Sequence, residues 1–508
     1  MRNTTLLQPD TLLSLNNGPM HLRTKVGLAF QNFAGSFTDI LACPRGLWIV
    51  IGAFVVESMA YFGVLTLMTT YLSSDLGWGD ARASLTVSIF TMLVTLFMIG
   101  LGSYAEGFGL RRAIIFALAL TACGRVIYSL APQFVGGGIC VVAVLGALLM
   151  TAAGEGILQP VCYSGVKQYT NAKTSSMGYG LIYAIMNLGI VGIGALSAWI
   201  RPAVQDIKDG RGHLHKFGRA LLDLLAGFSN TGVQAVNWTC VGITCIALVL
   251  FMLLFTKKIE SAKLRPDTAE QQRKTTTAPL AARLKTYFTD GPFSNWRFIF
   301  FIFMLLPVRT LFAHQWLTMP QYILRAYDKP VADKMEWLVN WINPAIIFLG
   351  VPIATALTRR VNVYKMMIIG SFVSAAPTFL LCGGPNLKLL ITYFVLFSVG
   401  EALWSARFLE YAAELAPPGR IAQYMGLANV PWLLAKGTTG LYSGLLLARY
   451  CPANTPPENL QTGTLWFIYG CIAMTSPVGL LLARKWVTAG LHPGRTQPDT
   501  EHSDKTGF

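Results

Sequence analysis

The chain has 508 residues, of which 53% are hydrophobic and only 13% charged, with a mean hydropathy of +0.50. Those proportions exclude an ordinary soluble domain and describe an all-α polytopic membrane protein. The formal charge of +16 is spread over loops beside apolar runs, where it sets orientation and attracts anionic headgroups, so it gives no ground for nucleic-acid binding.

The first 46 residues are mostly polar and carry no cleavable signal pattern, so they read as a cytoplasmic tail. Runs long enough to cross a bilayer follow at 47–72, 83–105, 112–131, 137–160, 177–199 and 235–256. A hydrophilic linker over 257–296 separates these from six more at 297–323, 336–358, 364–383, 387–412, 421–448 and 463–484. The expectation is 12 transmembrane helices in two six-helix bundles, 47–256 and 297–486, with a second cytoplasmic tail over 487–508. Arg111, Arg112, Lys167, Lys173, the basic linker, Arg359, Arg360 and Arg420 alternate onto one side, which the positive-inside rule makes the cytoplasm. Both termini join that side. The loop 200–234 carries Arg201 and other cations on the opposite side, a length at which the rule loosens. Within it, Phe217 to Phe228 has the pattern of an amphipathic helix lying on the outer face. Asn237-Trp238-Thr239 is a glycosylation sequon at the bilayer edge.

Nine cysteines are scattered without CxxC or ligand-like spacing to histidine and read as packing residues. HExxH, GxSxG and phosphate-loop patterns are missing from the sequence, so it suggests neither an enzyme nor a metal or cofactor.

Charges inside apolar runs carry the functional signal, because a carboxylate or cation facing lipid costs several kcal/mol. Glu57 lies near the middle of the first run, Glu155 in the fourth, and Glu401 in the tenth. The cations are Arg125, Arg309, Arg407 and Lys436, with His314 beside them as a group that titrates near neutrality. Each has a duller reading. Arg125 can snorkel to the outer end of its helix, Arg309 can satisfy carbonyls freed by Pro307, and Arg407 can pair locally with Glu410. Glu57 can pair with a basic group and lock the bundle, Glu155 can hydrogen-bond a neighbouring helix, and Lys436 can form a helix-spanning salt bridge.

The loops after the second and eighth runs show faint internal symmetry: Gly102-Ser-Tyr-Ala-Glu106-Gly-Phe-Gly109-Leu-Arg111-Arg112, and Leu357-Thr-Arg359-Arg360-Val-Asn-Val-Tyr-Lys365. The first resembles the loop signature of the major facilitator superfamily, with Glu106 in place of the usual aspartate; the second is degenerate, with Thr358 at the acid's position. Four segments resemble the proton-dependent oligopeptide transporter family within that superfamily. They are Glu57-Ser-Met-Ala-Tyr61-Phe62-Gly63, Gly154-Glu155-Gly156-Ile-Leu-Gln159-Pro160, Ile182-Tyr183-Ala-Ile-Met-Asn187-Leu-Gly189, and Gly400-Glu401 with Leu409-Glu410-Tyr411 and Ala416-Pro417. Where the family carries its first glutamate, arginine and lysine, this chain has Phe54, Ser58 and Gln159.

The resemblance implies a secondary active transporter that exposes a midplane site alternately to each side, moving a peptide-like or other zwitterionic or anionic solute with protons. Coupling then needs a titratable group inside the spans, which makes Glu57, Glu155 and Glu401 the proton-coupling candidates. Tyr61, Gln159, Asn187, Arg309, Trp404 and Lys436 are the substrate-binding candidates, with Glu401 at the position that receives a peptide's amino group. A rearranged ion-pair network is expected, with Arg125, Arg309 or Lys436 replacing the absent cations. Expected partners are the small-molecule substrate, protons and the lipid bilayer, with a monomer in the plasma membrane or bacterial inner membrane. The rivals are a sensor or scaffold that keeps the fold without transport, and a proton-independent facilitator or exchanger.

Overall fold

The computed structural model describes residues 39–106, 109–133, 137–171, 174–211, 217–264, 296–358, 361–414, 428 and 430–489. Most of the linker and both tails lie outside these residues. So do the side chains of Glu106, Arg407 and Glu410, so the loop acid and the Arg407 pairing stay as sequence expectations.

The described residues are helical with no strand. Six long helices form the first half: α1 Arg45–Thr70, α2 Gly79–Glu106, α3 Leu110–Leu130, α4 Gly137–Tyr169, α5 Ser175–Lys208 and α6 Gly232–Leu254. The second half contains α7 Trp296–Leu317, α8 Met335–Leu357, α9 Val363–Gly383, α10 Leu387–Glu414, α11 Val430–Tyr450 and α12 Thr462–Leu482. Among the described residues, ten candidate spans pass on length and apolarity. The helix α8 has only the shorter apolar stretch Met335–Val351, and α11 falls outside both groups. The reason in α11 is its polar run Lys436-Gly-Thr-Thr439, of which Lys436 lines the central cavity, Gly437 packs against Met92 and Thr439 is buried.

Several boundaries differ from expectation for local reasons. Helix α5 continues past its apolar stretch to Lys208, so Arg201 is a buried helical residue and not part of a loop. Helix α7 breaks at Leu305, ahead of Pro307, and Ser476 Oγ of α12 accepts from the Val308 N–H at 2.9 Å. The amphipathic expectation is met by a helix over Arg219–Phe228 that buries Leu222, Leu225 and Ala226. Asn237 of the sequon is buried in the first turns of α6. Helix α6 begins where Thr231 Oγ1 accepts from Gln234 N at 3.1 Å, which satisfies one of the free N–H groups of the first turn.

The halves meet along α2 against α11 and α5 against α8. Glycine makes both seams close. A Cβ on Gly444 would sit 2.8 Å from the Cα of Ala81, and one on Gly194 would sit 3.1 Å from the carbonyl oxygen of Glu336. We call the end where α1 and α3 begin the tail end and the opposite one the far end. Polar contacts draw the halves together toward the far end. Arg201 is ion-paired with Glu336 and donates to the Ala332 carbonyl at 2.6 Å. Arg325 forks onto Asp80 at 2.6 and 2.7 Å, and Gln321 donates to Ser73 Oγ at 2.7 Å. Nearer the middle, Thr66 donates to Asn340 Oδ1 at 2.9 Å.

Candidate substrate cavity and buried ion cluster

At mid-depth in the first half, Arg125 of α3 joins Glu57 of α1 and Glu155 of α4. Its Nη1 lies 2.5 Å from Glu57 Oε1 and its Nη2 lies 3.0 Å from Glu155 Oε1. Nη1 also donates to Thr244 Oγ1 of α6, so four helices converge on one guanidinium. The three charged residues are 0%, 1% and 2% exposed for Glu57, Arg125 and Glu155. Arg125 therefore does not snorkel to the helix end: its partners lie in the bundle interior, and desolvation without them would be prohibitive.

The neighbouring glycines explain the meeting. A Cβ on Gly124 would sit 2.7 Å from the carbonyl oxygen of Ala147, and one on Gly154 would sit 2.8 Å from that of Ala117. The backbones of α3 and α4 touch at the two positions immediately before Arg125 and Glu155, which brings the helices close enough for the two charged side chains to meet at 3.0 Å.

A cavity of ≈ 330 Å³ lies between the halves beside this cluster. Its polar lining includes Glu155, Gln159 and Asn187 from the first half and Asn343, Glu401 and Lys436 from the second. Its aromatic lining includes Tyr61, Tyr163, Tyr183, Phe312, Trp316 and Trp432. Glu401 accepts from Asn343 Nδ2 at 2.7 Å. Lys436 Nζ donates to Thr95 Oγ1 at 3.2 Å and lies 5.7 Å from the centre of the Trp432 ring. Among the described residues no carboxylate pairs with Lys436 and no cation pairs with Glu401.

The candidates thus fall into two groups. Glu155, Glu401, Tyr61, Gln159, Asn187 and Lys436 line the cavity. Glu57, Arg309 and Trp404 do not, and their positions explain why. Glu57 lies behind Glu155, tied to it through Arg125. Arg309 is packed among aromatic faces, 4.2 Å from the centre of Phe408, 5.6 Å from Trp404 and 5.8 Å from Trp432, and donates to the Ala428 carbonyl at 3.4 Å. Trp404 directs its indole N–H to Ser374 Oγ at 3.2 Å. His314 is also away from the cavity, between Thr318 Oγ1 at 2.9 Å and the Tyr442 hydroxyl at 3.2 Å, stacked on Tyr469.

At two positions where the resemblance lacks its charges, the replacements are satisfied without a ligand or lie on the wall. Ser58 Oγ donates to the Phe54 carbonyl at 2.7 Å, and Phe54 sits edge-on to Tyr163 with centroids 5.7 Å apart.

Sequence reasoning missed Asn343, Asn340 and Glu336, which recur at helical spacing on one face of α8. The signal was present as a polar stripe, i, i+4, i+7, in an otherwise apolar span. Glu336 at the span's edge was passed over because a terminal charge there ordinarily meets water.

Comparison with known proteins agrees with this architecture. Residues 49–440 match the model of the Major Facilitator Superfamily. A stretch of 152 residues is 26% identical to Peptide transporter family 1 of Drosophila melanogaster, covering 29% of this chain and only 20% of that protein's length. Among solved structures, a POT family transporter in complex with 5-aminolevulinic acid superposes with a TM-score of 0.61 at 16% identity, over 88% of this chain and 97% of that one. The nucleoside transporter NupG gives 0.64 at 12% identity, over 87% and 99%. A peptide transporter POT in complex with sulfate gives 0.61 at 17% identity, over 87% and 95%. At such identities the likeness is one of fold.

Proposed function

This chain belongs to the Major Facilitator Superfamily, and we propose that it is a proton-coupled secondary transporter of a small zwitterionic, peptide-like solute. The observation that carries the proposal is the cavity wall itself: one carboxylate, Glu401, and one ammonium, Lys436, each without an ionic partner among the described residues, facing a space between the two halves. A buried charge of either sign is expensive unless something of opposite sign completes it. A solute bearing both an amine and a carboxylate completes both at once. Tyr61, Tyr163 and Trp432 supply faces for an apolar body, and Gln159 and Asn187 supply hydrogen bonds.

The departures from the oligopeptide transporter pattern support a changed division of labour. Both unpartnered charges of the cavity belong to the second half, while the first half contributes aromatic and amide groups and Glu155, which is paired with Arg125. Arg309 and Trp404 act as the packed wall behind Trp432 and not as direct ligands.

Proton coupling rests on charge balance in the buried cluster. Two carboxylates and one guanidinium carry one uncompensated negative charge when all are ionised. One proton shared between Glu57 and Glu155 makes the cluster neutral, and Glu155 is the member that reaches the cavity. A substrate arriving beside Glu155 alters the field on that proton, which links binding to protonation. Alternating access then works against the far-end contacts Arg201–Glu336 and Asp80–Arg325, which hold the halves together there and must part for the cavity to open on that side. With the tail end cytoplasmic, as the loop charges suggest, this is an outward-closed state.

The test is a competition screen in proteoliposomes with dipeptides, amino acids and derivatives blocked at either end. The proposal expects solutes with both charges to compete best, and blocking either end to weaken competition. Equal competition by neutral or singly charged analogues would overturn the zwitterion reading. Ligand-induced stabilisation without any flux would instead select a sensor.

A further inference from the structure

Away from the cavity, the tail end of the first half holds a basic pocket of ≈ 420 Å³ that the transport reading does not use. Arg111 and Arg112 at the start of α3 line it, with Lys257, Glu260, Ser261 and Lys263 beyond α6. Four cations therefore face one carboxylate, and that carboxylate is committed: Glu260 Oε1 accepts from the backbone N–H of Arg111 at 3.0 Å, capping α3. The Arg111 side chain is committed too, donating to the Phe255 carbonyl at 2.6 Å. Arg112 and Lys257 are exposed and have no ion-pair partner among the described residues.

An apolar groove of ≈ 270 Å³ runs along the same end of α6. It is lined by Trp48, Gly52 and Val56 of α1 and by Ala247, Leu250 and Leu254 of α6. A Cβ on Gly52 would meet nothing within 4 Å, so the groove is open along its floor. From Trp48 to Val56 the helix rises about 12 Å, the length of a substantial part of an acyl chain. The short helix Lys257–Ser261 begins three residues after Leu254 of the groove, carries Lys257, Glu260 and Ser261 of the basic pocket, and packs against both α1 and α3. Basic groups near the end of an apolar groove on a membrane-spanning bundle match an amphiphile whose headgroup is net negative: an anionic phosphate ester on a hydrocarbon chain.

We propose that an anionic glycerophospholipid occupies this place, its phosphate between Arg112 and Lys257 and one chain along the groove between α1 and α6. The lipid ties the start of α3 to the end of α6, two of the four helices that converge on Arg125. A free phosphate would use the same cations and leave the groove empty, so the two sources are separable.

The experiment measures the melting temperature of the full-length protein in detergent against added phosphatidylglycerol, phosphatidylcholine of the same chains, and inorganic phosphate. It is run on wild type, Arg112→Gln/Lys257→Gln and Gly52→Leu, with native mass spectrometry counting retained lipid. Phosphatidylglycerol is expected to stabilise the wild type and to be retained, and phosphatidylcholine to do neither. Near a membrane surface each cation contributes enough that losing two weakens apparent affinity about 30-fold. Gly52→Leu is expected to fill the groove and weaken phosphatidylglycerol while its lipid-free melting temperature stays near wild type. Equal shifts from both lipids, an unchanged affinity in the double variant, or a full effect from inorganic phosphate alone would each overturn the proposal.

Discussion

Replacing Arg125 with leucine removes the single cation that Glu57 and Glu155 share. The contacts at 2.5 and 3.0 Å and the hydrogen bond to Thr244 all vanish, and none of the three charged residues is more than 2% exposed. Among the described residues no other cation stands in its place, so two carboxylates face each other, with Glu155 on the cavity wall and Glu57 behind it. Breaking a buried pair from one side costs about 3–5 kcal/mol, whereas replacing all members by well-packed apolar groups is often neutral. Arg125→Leu should therefore lose about 3–5 kcal/mol, and the apolar triple Arg125→Leu/Glu57→Met/Glu155→Met should recover most of it. Unfolding in mixed micelles, followed by loss of helical signal with increasing denaturant, measures both. The reasoning is refuted if Arg125→Leu is as stable as wild type, or if the triple is no better than the single variant.

Other outcomes follow from the same geometry. Glu401→Gln removes the charge-assisted acceptor for an amine and should raise KM for amine-bearing substrates about ten- to hundredfold, sparing analogues without an amine; transport kinetics with paired analogues check this. Glu336→Gln breaks the far-end pair with Arg201, so a cysteine placed at Leu65 on the cavity wall, in a cysteine-free background, should react faster with an impermeant thiol reagent added on the far side. No change in labelling rate would count against a gate there. His314→Gln should cost about 1 kcal/mol through its bonds to Thr318 and Tyr442 while leaving the pH profile of transport unmoved, because the ring is not on the cavity wall.

The charges inside apolar runs were legible because the cost of burying them leaves few alternatives. Glu155, Glu401 and Lys436 were found that way and do line the cavity. The partner of Glu57 was legible only as one of Arg125, Arg309 and Lys436: Arg125 is 68 positions distant in the chain, counting from the residue numbers, and the choice depends on the backbone contact of Gly124 and Gly154 with facing helices. A glycine beside a charge in each of two adjacent spans was the available cue. Arg309 misled because depth alone does not distinguish a cavity from an aromatic cage. The far-end pairs were missed because Arg201, Glu336, Asp80 and Arg325 lie at span ends, where water is the usual partner; only the meeting of the two halves buries them.

The central claim is that the Glu57–Arg125–Glu155 cluster carries the proton while Glu401 and Lys436 carry the substrate. Uptake of a dipeptide into proteoliposomes under an imposed pH gradient, compared with gradient-free counterflow of the same solute, tests it most directly in Glu155→Gln. The account predicts that Glu155→Gln abolishes gradient-driven accumulation and keeps counterflow. Gradient-driven accumulation equal to wild type in that variant would contradict it.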